Sequence, residues 1–159
     1  MEVKLAYHVA FLVEDIAIAA PRFEQALGLR FRTAEPLVKV DDTDDGGSPL
    51  LSTYSYEGPP FVQLIQAQPT GVYGIEHGEG FHHFGVWVDD AGACQQVLAG
   101  AGITAEKSFT DGARTVAWYS RPGDLHGIRV EYTGEAVRPG VERWLQGDIA
   151  LGDVSTSGG

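Results

Sequence analysis

Four polar side chains stand inside otherwise apolar, strand-like runs of this 159-residue chain: His8, Gln63, His83 and Glu131. A polar group in a strand interior finds a partner or loses on the order of 1 to 3 kcal/mol, and one divalent cation would satisfy all four. Two neutral imidazoles, an amide oxygen and one carboxylate leave such an ion a net charge of about +1, so it stays a Lewis acid with room for water or substrate. Nitrogen and oxygen donors without sulfur suit Co, Ni, Zn, Mn or Fe and do not select among them. Taken singly, each residue has an ordinary explanation, a hydrogen-bonded core histidine or a solvated strand position. Their placement is what groups them.

That placement follows from an internal repeat. His8-Val9-Ala10-Phe11-Leu12-Val13-Glu14-Asp15 matches His83-Phe84-Gly85-Val86-Trp87-Val88-Asp89-Asp90, with a His, a small residue, a Val and an acidic pair in register. Each copy reads as a strand followed by a helix, expected over Ile16 to Leu27 and over Ala91 to Ala101. Asp15 and Asp90 stand at the N-cap positions, and Gly28 and Gly102 where a glycine ends a helix. Pro21 inside the first helix predicts a late start or a kink, because proline removes a backbone hydrogen bond. Three strand-like runs follow each helix, at about 29–40, 50–56 and 61–67 in the first copy and about 103–109, 114–120 and 128–132 in the second. Turn chemistry separates them: an acidic, glycine-containing loop over 41–48, Gly58-Pro59-Pro60, Thr110-Asp111-Gly112 and Pro122-Gly123-Asp124.

Both halves therefore read β-α-β-β-β, an α+β chain of two tandem βαβββ modules forming curled mixed sheets around a central cleft. The expected division is a first module over 1–69, a glycine-rich linker over 70–80, a second module over 81–134, and a C-terminal segment over 135–159. That last segment carries a short amphipathic helix near 141–146 and a Gly/Ser/Thr tail from Asp148 that frays. Pseudo-twofold equivalence pairs His8 with His83. It also pairs Gln63, in Val62-Gln63-Leu64, with Glu131, in Val130-Glu131-Tyr132. It selects His83 over the adjacent His82, since neighbouring strand residues face opposite sides. His77 and His126 fall in or beside loops and read as solvent or rim residues, and Cys94 as a small buried apolar group. The acidic loop at Asp41 to Asp45 lacks the oxygen ladder of a calcium site and reads as a solvated turn.

Bulk properties narrow the function. A formal charge of −11 repels nucleic acid and anionic membranes, so neither is an expected partner. A single cysteine rules out an intrachain disulfide framework and fits a reducing compartment. No signal-like N-terminus or long apolar run appears, and a cytoplasmic location is expected. Aromatic residues in the strands, Tyr54, Tyr56, Phe61, Trp87 and Trp118, are candidates for the walls of a small-molecule pocket, with His82 beside them. Between Val40 and Gly80 there is no Lys or Arg, so a phosphate-bearing substrate would depend on Arg30, Arg32, Lys39, Arg114 or Arg121.

Four stretches together, His8 to Asp15, Gln63-Leu64-Ile65-Gln66, Gly80 to Asp90 and Gly127 to Tyr132, resemble the vicinal oxygen chelate superfamily, the glyoxalase, bleomycin-resistance and extradiol-dioxygenase group. The His/Gln/His/Glu set and the His82-His83 doublet are most similar to methylmalonyl-CoA epimerase and glyoxalase-like members. The resemblance covers about Tyr7 to Thr133. It implies a metal-dependent isomerase or lyase in which a bound ion polarises a substrate carbonyl, with Glu131 a ligand and a proton acceptor. The nearest counterpart of the family's second base is Glu35. Substrates would be small molecules, an acyl-CoA or an aromatic, polyketide-like compound, and a homodimer is expected. Two other roles remain open: a non-catalytic protein that binds an antibiotic-like molecule, and an Fe(II) extradiol-type dioxygenase using His8, His83 and Glu131.

Overall fold

The computed structural model describes residues 5–37 and 50–147. The acidic loop at Asp41 to Asp45, Lys39 and the tail from Asp148 lie outside the described residues. Eight strands and three α-helices run in the order β1 (Ala6–Val13), α1 (Ile16–Leu27), β2 (Glu35–Leu37), β3 (Leu50–Tyr54), β4 (Phe61–Gln66), β5 (Gly80–Val88), α2 (Ala91–Gly100), β6 (Ala105–Asp111), β7 (Arg114–Ser120), β8 (Val130–Gly134) and α3 (Arg138–Leu145). The chain is α+β and divides into an N-terminal unit, His8–His82, and a C-terminal unit, Met1–Tyr7 with His83–Gly159.

In the N-terminal unit the strand order is β2-β3-β4-β1, with β1 and β4 parallel and the other pairs antiparallel. The C-terminal unit repeats the pattern as β5-β8-β7-β6, again with one parallel pair, β5 with β8. Alternation along each strand creates two faces. One face carries the helix: Val13, Ile16, Val62 and Leu64 form a core with Val9, Phe11, Phe23 and Phe31 around it. Val88, Ala91, Leu98 and Trp118 do the same beneath α2. The opposite face, the site face, holds the polar candidates.

The helices obey their punctuation. The Asp15 side chain accepts a hydrogen bond from Ala17 N–H and that of Asp90 from Ala93 N–H, satisfying N–H groups that the first turn leaves free. Gly28 ends α1 at φ 70°, its N–H bonded to the Glu24 carbonyl, a left-handed geometry that costs a side-chain-bearing residue about 1 kcal/mol. The late start predicted from Pro21 does not occur: α1 begins at Ile16 and continues through Pro21. The carbonyl deprived of its donor belongs to Ala17, an exposed residue, so the loss falls on the solvent side of the helix, where it costs less than in the core. α2 ends one residue short of the expected Ala101, which caps it.

Two departures matter more. The first post-helix strand is shorter than its apolar run in the first module, Glu35–Leu37 within the described residues, and in the second it keeps its length but lies two residues later, at Ala105–Asp111. Phe31 nevertheless makes an isolated antiparallel bridge to Ser55, which extends the pairing toward α1. The 70–80 segment is more than a spacer. It contains a 3-10 turn at Ile75–His77, and Tyr73, 2% exposed, stacks on His82 with ring centroids 5.2 Å apart.

Candidate metal centre

Each unit assembles half of the candidate site by the same construction. In the N-terminal unit, Ala10 on β1 lies opposite Gln63 on β4, and Gln63 lies opposite Tyr54 on β3. His8, two residues before Ala10, shares its face. In the C-terminal unit Gly85 lies opposite Glu131, Glu131 lies opposite Tyr119, and His83 is two residues before Gly85. A histidine, a small residue, an oxygen donor and a tyrosine thus occupy matching register positions in both units. The small residues, Ala10 and Gly85, leave space between the histidine and the oxygen donor of the neighbouring strand.

The match extends to supporting contacts. His8 meets the Tyr54 ring edge-on at 5.4 Å, and His83 packs against Tyr119 at 4.8 Å; both histidines are fully buried. The serine after each tyrosine accepts a backbone hydrogen bond from the strand opposite, Val62 N to Ser55 Oγ at 2.9 Å and Val130 N to Ser120 Oγ at 3.0 Å. Tyr119 was missed as a site residue, although the Tyr-Ser pairs at 54–55 and 119–120 carry the signal for it in the sequence.

The half-sites differ where their chemistry differs. In the C-terminal half, Nε2 of His83 is 3.0 Å from Oε2 of Glu131, whose side chain is 16% exposed. Adjacent donors on one ion with bonds of about 2.1 Å lie roughly 3 Å apart as well. In the N-terminal half, Gln63 Nε2 donates to Ser52 Oγ at 2.9 Å, while the buried Oε1 accepts no hydrogen bond. A buried amide oxygen without a donor is costly, and it is the atom through which an amide coordinates a cation. The donors in each unit are of types that suit a divalent ion: an imidazole with an open amide oxygen in the N-terminal unit, an imidazole with a carboxylate in the C-terminal unit.

Glu35 lies opposite Ser52 on β3, and Ser52 faces Gln63, so this carboxylate stands on the site face of the N-terminal unit. Tyr7 lies behind the other half. Its hydroxyl is 3.1 Å from Thr133 Oγ1, and burial, reinforced by the Glu131 charge and only partly offset by Thr133, raises its pKa well above 10, the ordinary value for tyrosine. The phenol stays neutral.

The aromatic candidates separate by face. Tyr54 stands on the site face beside His8. Trp118, fully buried, alternates onto the helix side, where it stacks on Tyr132 at 4.4 Å beneath α2; it is core. His82 faces away from His83 and is held by the linker, its Nε2 2.8 Å from the Val72 carbonyl. Trp87 shares the face of His83 but is covered: Tyr7 stacks on it at 4.1 Å and Arg138 lies 5.3 Å over its ring. α3 begins at Arg138, earlier than its apolar pattern suggested, and its Val141 packs into this cluster.

The model of the glyoxalase/bleomycin resistance protein/dioxygenase superfamily matches residues 7–119. No curated protein matches the chain by sequence. Among solved structures, hypothetical protein BH1468 from Bacillus halodurans C-125 is similar at 19% identity and TM-score 0.62, over 84% of this chain and 96% of that one. Methylmalonyl-CoA epimerase from Mycobacterium tuberculosis is similar at 19% identity and TM-score 0.63, over 89% and 96%. A Streptomyces coelicolor methylmalonyl-CoA epimerase variant in complex with 2-nitronate-propionyl-CoA gives 15% identity and TM-score 0.61, over 84% and 95%. At these identities the structures establish a shared fold. The duplicated βαβββ units and the family model, which spans most of the chain, lead to one conclusion: this protein belongs to the glyoxalase/bleomycin resistance/dioxygenase superfamily.

Proposed function

We propose that the chain is a metal-dependent isomerase or lyase that moves a proton beside a carbonyl, with His8, Gln63, His83 and Glu131 as the protein ligands of one divalent ion. The observation that carries this reading is the Gln63 oxygen, buried without a hydrogen bond at the register position that Glu131 occupies in the other unit. An amide oxygen paired across the repeat with a carboxylate, each beside a buried histidine, is a donor pattern that suits a cation.

When bound, the ion supplies Lewis acidity that draws electron density from a substrate carbonyl and makes the neighbouring C–H more acidic. The chain's own residues do the rest. Neutral Gln63 keeps the ligand charge to the single carboxylate of Glu131. Tyr54 and Tyr119 fix the imidazole rings against which they pack. Glu131 holds a carboxylate where a proton is taken up, and Glu35 supplies a second one on the site face of the other unit. Two carboxylates are what a proton transfer needs if the proton leaves from one side of a carbon and returns to the other. Similarity to epimerases with bound acyl-CoA compounds favours thioester substrates.

Metal analysis of protein purified without chelator tests the reading. One equivalent of divalent ion per chain is expected, reduced severely in His83→Ala, with wild-type protein catalysing α-deuterium uptake from D2O into methylmalonyl-CoA or a related acyl thioester. Wild-type protein that neither carries nor takes up Co or Ni would refute it.

A further inference from the structure

Arg32 lies on the site face of the N-terminal unit. The Phe31–Ser55 bridge and the hydrogen bond from Arg32 N–H to the Tyr54 carbonyl put Arg32 opposite Tyr54. Tyr54 in turn is opposite Gln63, and Gln63 opposite Ala10, so Arg32, Tyr54, Gln63 and Ala10 form one transverse row with side chains on one face. Phe31, the neighbour of Arg32, points the other way into the α1 core. With strands about 4.8 Å apart, the Arg32 and Gln63 backbones are roughly 10 Å from each other.

The guanidinium is positioned and forms no ion pair among the described residues. It lies 4.4 Å over the Tyr56 ring, a stack that restricts the side chain without neutralising it. Its Nε is buried and donates to nothing among the described residues. Arg30 pairs with Glu57, Arg129 with Glu106, and Arg138 with Glu135 and Glu142. What distinguishes Arg32 among the arginines of the described residues is a buried Nε that no acceptor satisfies, and an unsatisfied buried donor is costly.

We propose that Arg32 anchors a carboxylate of the substrate, so that the molecule turned over at the Gln63 end of the row is an acid carrying its anionic group a few bonds from the reacting carbonyl. This rests on the metal-site reading for the location of the chemistry but not for the binding of the anion. A carboxylate fits better than a phosphate. The planar fork accepts either, but the neighbouring cation, Arg30, is already held by Glu57 through both its backbone N–H and its Nε at 2.8 Å, leaving one positive charge for one negative charge.

The test titrates the whole, metal-loaded chain with succinate, glutarate, their dimethyl esters and methyl phosphate, followed by ligand-observed NMR, with metal content measured in parallel. Wild-type protein should bind one of the dicarboxylates at least tenfold more tightly than its ester. Arg32→Gln should lose that preference while retaining metal and its unfolding midpoint, and Arg32→Lys should recover part of it. Tyr56→Phe, which keeps the ring, should behave as wild type, and Tyr56→Leu should weaken the preference. Absence of any preference in wild type, a preference unchanged in Arg32→Gln, or an Arg32-dependent preference for methyl phosphate would each overturn the proposal. Loss of the preference in Arg32→Gln in a chain that takes up no metal would sink the metal reading and keep the anchor.

Discussion

Replacing Gln63 with methionine, similar in length and without polar nitrogen or oxygen, sets two contributions of opposite sign against each other. In protein stripped with chelator, removing a buried carbonyl that accepts no hydrogen bond relieves about 1 to 3 kcal/mol, while losing the Nε2 hydrogen bond to Ser52 costs about 0.5 to 1.5 kcal/mol. The net effect lies between a loss of about 0.5 kcal/mol and a gain of about 2.5 kcal/mol, an unusual result for a residue 6% exposed. With Co or Ni at a hundredfold excess over its dissociation constant, the wild-type chain is stabilised by about 2.7 kcal/mol. The variant forfeits most of that and becomes the less stable of the two. Urea denaturation followed by circular dichroism, with chelator and with metal, reads both differences. A Gln63→Met that destabilises the chain equally under the two conditions would refute the assignment of this oxygen to a cation.

Trp118→Ala should cost about 3 to 5 kcal/mol by emptying the core beneath α2, while folded protein keeps its metal stoichiometry; denaturation and metal analysis together check it. Asp90→Ala removes the acceptor of Ala93 N–H and should cost about 1 kcal/mol, measured as a shift in urea midpoint with no change in metal content. The side-chain and backbone hydrogen bonds from Thr104 lower the Asp124 pKa below its ordinary 3.8. A carboxyl depressed in the folded state stabilises above its unfolded value and loses that contribution as pH falls through the folded value. The Tm gap between wild type and Asp124→Asn should therefore narrow as pH drops below 3.8 and persist at neutral pH; a gap independent of pH would contradict it.

The amino-acid sequence by itself determined the duplication and both long helices, and it made the four candidate donors stand out, because each rests on short-range chemistry. Aspartate caps and terminal glycines bound a helix locally, and a histidine or glutamine among apolar neighbours is conspicuous wherever its strand ends up. Which face a side chain takes is different, because it depends on pairing register, which slips by one residue without any change in composition. Trp118 and Tyr119 are adjacent, aromatic and equally plausible in the sequence; pairing with β8 sends Trp118 under α2 and Tyr119 against His83. Likewise Arg32 and Glu35, three residues apart, reach one face only because the pairing shifts between the Phe31–Ser55 bridge and the Glu35–Ser52 pair. Composition made the candidate donors visible, but hydrogen bonding between strands distant in sequence decided which neighbours they keep.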